Sequence, residues 1–266
     1  MKKTLGFIGC GNMARAMMGG ILSAGILVPE EVIASDAYRS GLESAAAQMG
    51  IAAAGSNREV AEGARILVLS VKPQVYAAVI TEIAPCIGAD TVVVTIAPGQ
   101  TLEKLEGRFG KDVKLVRTMP NTPAMVGAGM TALCKNQHVT DEEFEEVCRL
   151  FGAFGRAEVV AEHMMEAVVA VSGSSPAYVF MMIEAMADAA VREGMPRDKA
   201  YTFAAQAVYG SAKMVLESGL HPAALKDNVC SPAGTTIDAV AVLEEKGFRG
   251  AIMDAMAACA QKARSV

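Results

Sequence analysis

The chain has 266 residues, a net charge of −5, 52% hydrophobic and 20% charged residues. That length suits two domains, or one domain with an assembly module, and the apolar content excludes general disorder. The acidic balance and the lack of any Lys/Arg block leave no footprint for nucleic acid.

Six scattered cysteines (Cys10, Cys86, Cys134, Cys148, Cys230, Cys259) show no C-x-x-C pairing, so free thiols in a reducing cytoplasm are expected. Three isolated histidines form no metal constellation, and no metal is expected. The basic start Met1-Lys2-Lys3 before an apolar stretch imitates a secretory leader, but Arg15 interrupts that stretch.

The first strand is expected at Leu5–Ile8, and it runs straight into Gly9-Cys10-Gly11-Asn12-Met13-Ala14. This is a G-x-G-x-x-A turn leading into a helix over Ala14–Ala24. Gly9 allows the tight reversal, Gly11 lets a pyrophosphate approach the backbone, and Ala14 lets the helix pack close. The helix aims its unpaired N–H groups at the phosphates.

Further strands are expected at Glu31–Ser35, Ile66–Val71, Thr91–Ile96, Lys114–Thr118 and Met130–Leu133, with helices at Gly41–Met49, Val75–Ala84 and Leu102–Phe109. The nearly continuous Val/Ile/Leu runs predict a parallel sheet covered on both faces. Thr140 and Glu143 form a capping box that opens a helix over Asp141–Phe151, and Ala157–Val160 suits a last strand. Ligands of such sheets bind beyond the strand carboxyl ends. Asp36 there suits the ribose 2′-OH of NAD, whereas Ser35 and Arg39 suit the 2′-phosphate of NADP. Lys72-Pro73, Ala97-Pro98-Gly99 and Met119-Pro120-Asn121 fall on the same edge.

After Glu162 strand signals vanish and helices follow to the end. The apolar run at Val168–Ile183 is interrupted by Ser172-Gly173-Ser174-Ser175-Pro176, so no membrane span is expected. From Pro176 to Glu193 a narrow polar stripe (Glu184, Asp188, Arg192) lies on an otherwise apolar helix. Such a helix needs cover on most sides, which a small helical domain lacks, so an interleaved homodimer is expected. The segment from Leu225 to Thr236 then breaks the helical pattern, and a new helix begins near Thr235. Successive N–H groups in such a loop could hold a carboxylate or simply cap the helix.

The expected organisation is therefore a Rossmann-type α/β dinucleotide-binding domain over residues 1–162 and an all-α dimerisation domain over 163–266. Val171-Ser172-Gly173-Ser174-Ser175-Pro176-Ala177-Tyr178 and Asp227-Asn228-Val229-Cys230-Ser231-Pro232-Ala233-Gly234-Thr235-Thr236 resemble the pyrroline-5-carboxylate reductase family. Val71-Lys72-Pro73, Met119-Pro120-Asn121-Thr122-Pro123 and the Gly-rich turn fit the same pattern in order. The family usually has Gly at the position of Ser175 and Gly-Gly at Ala233-Gly234.

The resemblance implies reduction of the cyclic imine 1-pyrroline-5-carboxylate by NADPH, less often NADH, to L-proline in the last step of proline biosynthesis. It implies that Gly9, Gly11, Asn12, Met13, Ser35, Asp36 and Asn57 bind the phosphates and adenosine ribose. Val71, Lys72, Pro73 and Ala97 would line the nicotinamide end. Val229, Ser231, Gly234, Thr235 and Thr236 would hold the substrate carboxylate, with the Thr236 hydroxyl at the ring nitrogen. The helical domains would interlock so that one copy completes the other's site, and the family also builds rings of dimers. A β-hydroxyacid dehydrogenase is the rival reading, but its lysine base finds no candidate between Lys135 and Lys199.

Overall fold

The computed structural model describes residues 3–264; Met1 and Lys2, part of the basic start weighed above as a leader, lie outside that range, as do Ser265 and Val266. The strands are β1 (Lys3–Ile8), β2 (Val32–Ser35), β3 (Ala52–Ala53), β4 (Ala64–Leu69), β5 (Val92–Thr95), β6 (Lys114–Met119), β7 (Gly129–Lys135) and β8 (Gly155–Val159). They form one sheet in the order β3-β2-β1-β4-β5-β6-β7-β8. Leu5 of β1 sits between Val32 and Ile66 in parallel register. The chain leaves β1 to one side and returns at β4 on the other, which opens a crevice at the carboxyl ends of these two strands.

Alternation along the strands explains their unbroken apolar character. Leu5, Phe7, Ile66 and Val68 face a core shared with α1 (Asn12–Ser23), α2 (Arg39–Met49) and α6 (Asp141–Gly152). Ile8, Leu67 and Leu69 face the opposite core, filled from α3 (Asn57–Gly63), α4 (Tyr76–Ile83) and α5 (Leu102–Phe109). The central strands β1, β4 and β5 are largely apolar because both of their faces are buried.

Two features depart from the sequence expectation. The sheet is not wholly parallel, since β7 runs against β6. The link between them holds only the 3-10 turn Thr122–Val126, and a parallel return needs a crossover of a dozen residues or more. The elements β3 and α3 were also not foreseen, because Ala52-Ala53 carries no strand signature and α3 is only seven residues long. The capping box at α6 forms as expected, with Glu143 N donating to Thr140 Oγ1 at 3.3 Å and Thr140 N to Glu143 Oε2 at 3.0 Å.

The chain divides into two compact units, one running to Ser174 and regaining the segment from Cys259 onward, the other Ser175–Ala258. In the second, α8 (Ser175–Arg192) and α9 (Arg197–Ser218) form a helical hairpin turned at Gly194, φ +94°. An Asp188–Arg197 ion pair bridges it. Then come α10 (Pro222–Val229), α11 (Thr235–Glu245) and the greater part of α12 (Phe248–Arg264).

Ser172–Pro176, which breaks the apolar character of the run, has helical backbone on both sides of a bend at Ser174. A short α7 (Met165–Val168) passes into a π-turn over Val169–Gly173, closed by Ser174 N donating to Val169 O at 2.8 Å. Pro176 sits in the first turn of α8, where no N–H is required. Glu162–Arg192 is consequently long and apolar enough to cross a membrane, with a mean hydropathy of 1.3 and 17% of that window buried.

The carboxyl ends of β4, β5 and β6 are tied together by polar side chains. Tyr76 is fully buried, donates to Leu69 O at 2.7 Å and lies 2.9 Å from Thr95 Oγ1. Thr118 Oγ1 donates to Thr95 O at 2.9 Å. Burial pushes the Tyr76 phenol up to about 12, so it remains a neutral donor. Tyr76→Phe is expected to lower the unfolding free energy by about 1–2 kcal/mol, measured by urea denaturation.

Candidate active site

The turn after β1 is dictated by sterics. Gly9 has φ +97°, and a Cβ there would lie 2.7 Å from Ser70 O. Its N–H donates to Ser35 O at 2.8 Å, while Ser70 Oγ donates to Gly9 O at 2.6 Å, so the turn is held from both neighbouring strands. Gly11 is different. A Cβ built on it would meet nothing within 4 Å, so the fold itself does not require glycine there. Gly11 is the N-cap of α1, yet no side chain caps it and no acid stands in the first turn, Asn12 and Met13 included. The N–H groups and the positive dipole end of α1 are therefore left for an anion.

Asp36 follows β2 and braces the same turn. Cys10 N donates to its Oδ2 at 2.6 Å and Tyr38 N to its Oδ1 at 2.7 Å. Burial raises the Cys10 thiol above its ordinary value, against the opposing pull of Arg15, and so disfavours the thiolate. Ser35 is buried, and its hydroxyl donates to Asn57 Oδ1 at 2.8 Å, while Asn57 Nδ2 donates to Glu82 Oε2 at 2.8 Å. Arg39 turns to Glu43 at 2.9 Å and to Ala54 O at 2.5 Å. A cleft of about 350 Å³ opens on the turn, lined by Cys10, Gly11, Asn12, Arg15, Asp36 and Tyr38 among others. Sequence reading treated Arg15 only as an interruption of an apolar run; its place right after the fingerprint alanine was the available signal.

Val71, Lys72 and Pro73 follow β4, and Ala97, 5% exposed, follows β5, so these residues share the carboxyl edge with the turn. Asn121 adds a link that spacing did not reveal. Its Nδ2 donates to Ser172 O at 3.0 Å and its Oδ1 accepts from Met130 N at 2.8 Å. Gly173 lies so close to Met119 that a Cβ would fall 2.9 Å from Met119 Cε. The Val171–Ser174 motif is thereby fixed to the end of β6. Buried Arg117 of β6 secures the start of this run by pairing with Glu162 and Glu166, each at 3.1 Å. Among the described residues no group of three or more His, Cys, Asp or Glu could hold a metal ion.

In the helical unit Val229 ends α10, Ser231 and Gly234 lie in the short connection, and Thr235 and Thr236 begin α11, with Val229 and Ser231 exposed and Thr236 half-buried. Gly234 N donates to Ser231 O at 3.0 Å across Pro232 and Ala233. Ala233 has φ +56°, and among the described residues it is the non-glycine with positive φ. Proline followed by a left-handed residue is the signature of a type II turn. At Gly234 a Cβ would lie 2.3 Å from Ser231 Oγ and 3.1 Å from Ser231 O, so a side chain there would have to displace the Ser231 hydroxyl. Gly234 caps α11 without a side-chain bond.

Known proteins agree with this geometry. A family model described as pyrroline-5-carboxylate reductase dimerisation matches residues 162–266, and one described as NADP oxidoreductase, coenzyme F420-dependent, matches 4–99. The chain is 53% identical to the pyrroline-5-carboxylate reductase of Escherichia coli over 266 residues, covering 100% of this chain and 99% of that one. The chain belongs to the pyrroline-5-carboxylate reductase family.

Solved family structures share the fold throughout. The Coxiella burnetii enzyme matches with a TM-score of 0.92 at 32% identity, covering 100% of this chain and 98% of that one. The Plasmodium falciparum enzyme, with NADP bound, matches with a TM-score of 0.90 at 32% identity, covering 99% and 97%. Against the family's usual Gly-Gly, Ala233 places a methyl group on the left-handed residue of the turn, where glycine would be unstrained.

The contrast between the two glycines is testable. Gly9→Ala should destabilise the protein by about 3 kcal/mol, because it combines positive φ with a backbone clash. Gly11→Ala should cost less than about 1 kcal/mol, yet weaken dinucleotide binding at least about tenfold. Thermal melts and calorimetric titration with NADPH measure the two effects separately.

Proposed function

We propose that the carboxyl edge of the sheet binds the dinucleotide and that the Val229–Thr236 segment holds the substrate carboxylate, in an enzyme that reduces 1-pyrroline-5-carboxylate to L-proline. NADPH is the assigned cofactor, with NADH as an alternative. The observation that carries this reading is the α1 N-terminus, which has neither cap nor acid and opens onto a Gly11 that the fold does not need. Gly9, Gly11, Asn12 and Met13 receive the pyrophosphate. Ser35, Asp36 and Asn57 shape the ribose end, and Val71, Lys72, Pro73 and Ala97 line the nicotinamide end.

An iminium carbon is already electrophilic, so the protein's main task is alignment rather than strong acid–base chemistry. The reduced nicotinamide, when bound, supplies the hydride. Backbone N–H groups of the turn from Ser231 to Thr235 would hold the substrate carboxylate, and the Thr236 hydroxyl would orient the ring nitrogen or relay its proton.

The second unit supports a homodimer that completes these sites. Phe180, Met181, Phe203, Leu216 and Met253 are each more than 60% exposed, whereas Ala187, Ala200 and Ala204 are buried. A helical unit with so little interior needs a partner surface. A second copy would also cover the apolar run Glu162–Arg192, which accounts for its composition without a bilayer. We further infer a cytoplasmic setting from the six free cysteines. Rings of dimers are the larger assembly proposed.

Thr236→Ala should lower kcat about a hundredfold while leaving the Kd for NADPH unchanged, and Thr236→Ser should restore most of the loss. Unchanged turnover in Thr236→Ala would remove this hydroxyl from the mechanism. If folding and dimerisation are coupled, the thermal midpoint should rise with protein concentration, and Phe203→Glu should yield monomers by sedimentation.

A further inference from the structure

The cofactor reading leaves the choice between NADPH and NADH to two side chains after β2, Asp36 and Arg39. The structure bonds Asp36 to the loop backbone and pairs the Arg39 charge with a carboxylate. Each Asp36 oxygen accepts a backbone N–H, from Cys10 and from Tyr38, so the carboxylate shapes the loop. The Arg39 guanidinium is drawn to Glu43 and to Ala54 O.

Arg15 is placed differently. It is the fourth residue of α1, at the end of its first turn, and it is the basic residue among the described residues lining the cleft beside Gly11, Asp36 and Tyr38. Its Nε donates to Cys10 O at 2.9 Å and its Nη2 to Gly41 O at 2.8 Å. These bonds fix the guanidinium plane, which also lies beside the Cys10 thiol, and they use two of its five N–H hydrogens. An arginine carries five N–H donors, so a held guanidinium still has donors for an anion at little ordering cost.

The surroundings favour a nucleoside phosphate. A Cβ at Gly41 would fall 2.4 Å from the Tyr38 ring and 3.3 Å from Arg15 Nη2, so glycine there lets the ring and the guanidinium lie side by side. Tyr38 is 71% exposed, an aromatic face without protein cover at the rim of the cleft. The first turn of α2, which begins beside it, contains no acid, so the positive end of its dipole is unopposed within the helix.

The geometry points to Arg15 as the residue that selects the cofactor: its guanidinium binds the 2′-phosphate on the adenosine ribose, and it thereby sets a preference for NADPH over NADH. This rests on the dinucleotide reading above and adds to it the source of discrimination. Arg15 touches no reacting atom; its role is specificity.

Calorimetric titration tests the assignment without turnover, using NADPH, NADH, adenosine 2′,5′-bisphosphate and 5′-AMP on the intact protein. The native chain should bind NADPH more tightly than NADH, and the bisphosphate more tightly than 5′-AMP. Arg15→Gln should weaken NADPH and the bisphosphate about tenfold or more, with NADH and 5′-AMP changed less than about threefold. Arg15→Lys should retain part of the preference, and Arg39→Gln should leave it intact. Equal weakening of all four ligands in Arg15→Gln would make the residue a brace of the turn and overturn the assignment. Loss of the preference in Arg39→Gln alone would also overturn it. Equal affinity of the native chain for NADPH and NADH overturns the assignment but leaves the dinucleotide reading standing, whereas binding of neither overturns both.

Discussion

At the end of β1 the backbone reverses within a few residues, and that reversal constrains the whole carboxyl edge of the sheet. Gly9 adopts a positive φ against the carbonyl of Ser70, so no side chain can stand between β1 and the segment after β4. The same turn fixes the direction of α1 and leaves its first N–H groups pointing out of the fold. Ser70, Asp36 and Arg15 all donate to or accept from this short stretch, each from a different element. Polar side chains that look like ligand contacts in the sequence thus begin as braces. Their chemistry toward a cofactor depends on what the braces leave uncommitted.

The helical unit has the opposite physical problem. Its helices are well formed, and α8 and α9 pack against each other, but the seam is made of alanines and the large apolar side chains face outward. Helix propensity biases such segments toward helix, while the hydrophobic stabilisation of the hairpin must come from another surface. The left-handed Ala233 lies in this unit, in the loop that opens α11. A residue strained in this way persists only where its surroundings hold it, which suits a segment that meets a ligand or a second copy.

Much of the first unit could be read directly from residue patterns. Runs such as Ile66–Leu69 announce strands buried on both faces, and Thr140 with Glu143 announces the start of a helix, because these signals are local. The short elements were not legible. Ala52-Ala53 pairs with Ile33 and Ala34 only because α2 and α3 leave it at the sheet edge. The Ser172–Pro176 stretch breaks the apolar run, yet a π-turn carries helical backbone up to Ser174, supported by Asn121 from a distant loop.

For the site, the chemistry of individual residues was present in the sequence and its allocation was not. Gly9 and Gly11 are equal letters in a motif, and their spacing between a strand and a helix points to a dinucleotide turn. Only the folded chain separates them: one glycine is demanded by the backbone and the other faces open space. Likewise the sequence put Asp36 and Arg39 near the ribose end, whereas only the folded chain brings Arg15 there, and tertiary hydrogen bonds decided which of these charges the fold consumes. The reason is physical: spacing sets which groups can reach a place, and three-dimensional packing sets which of them already have a partner there.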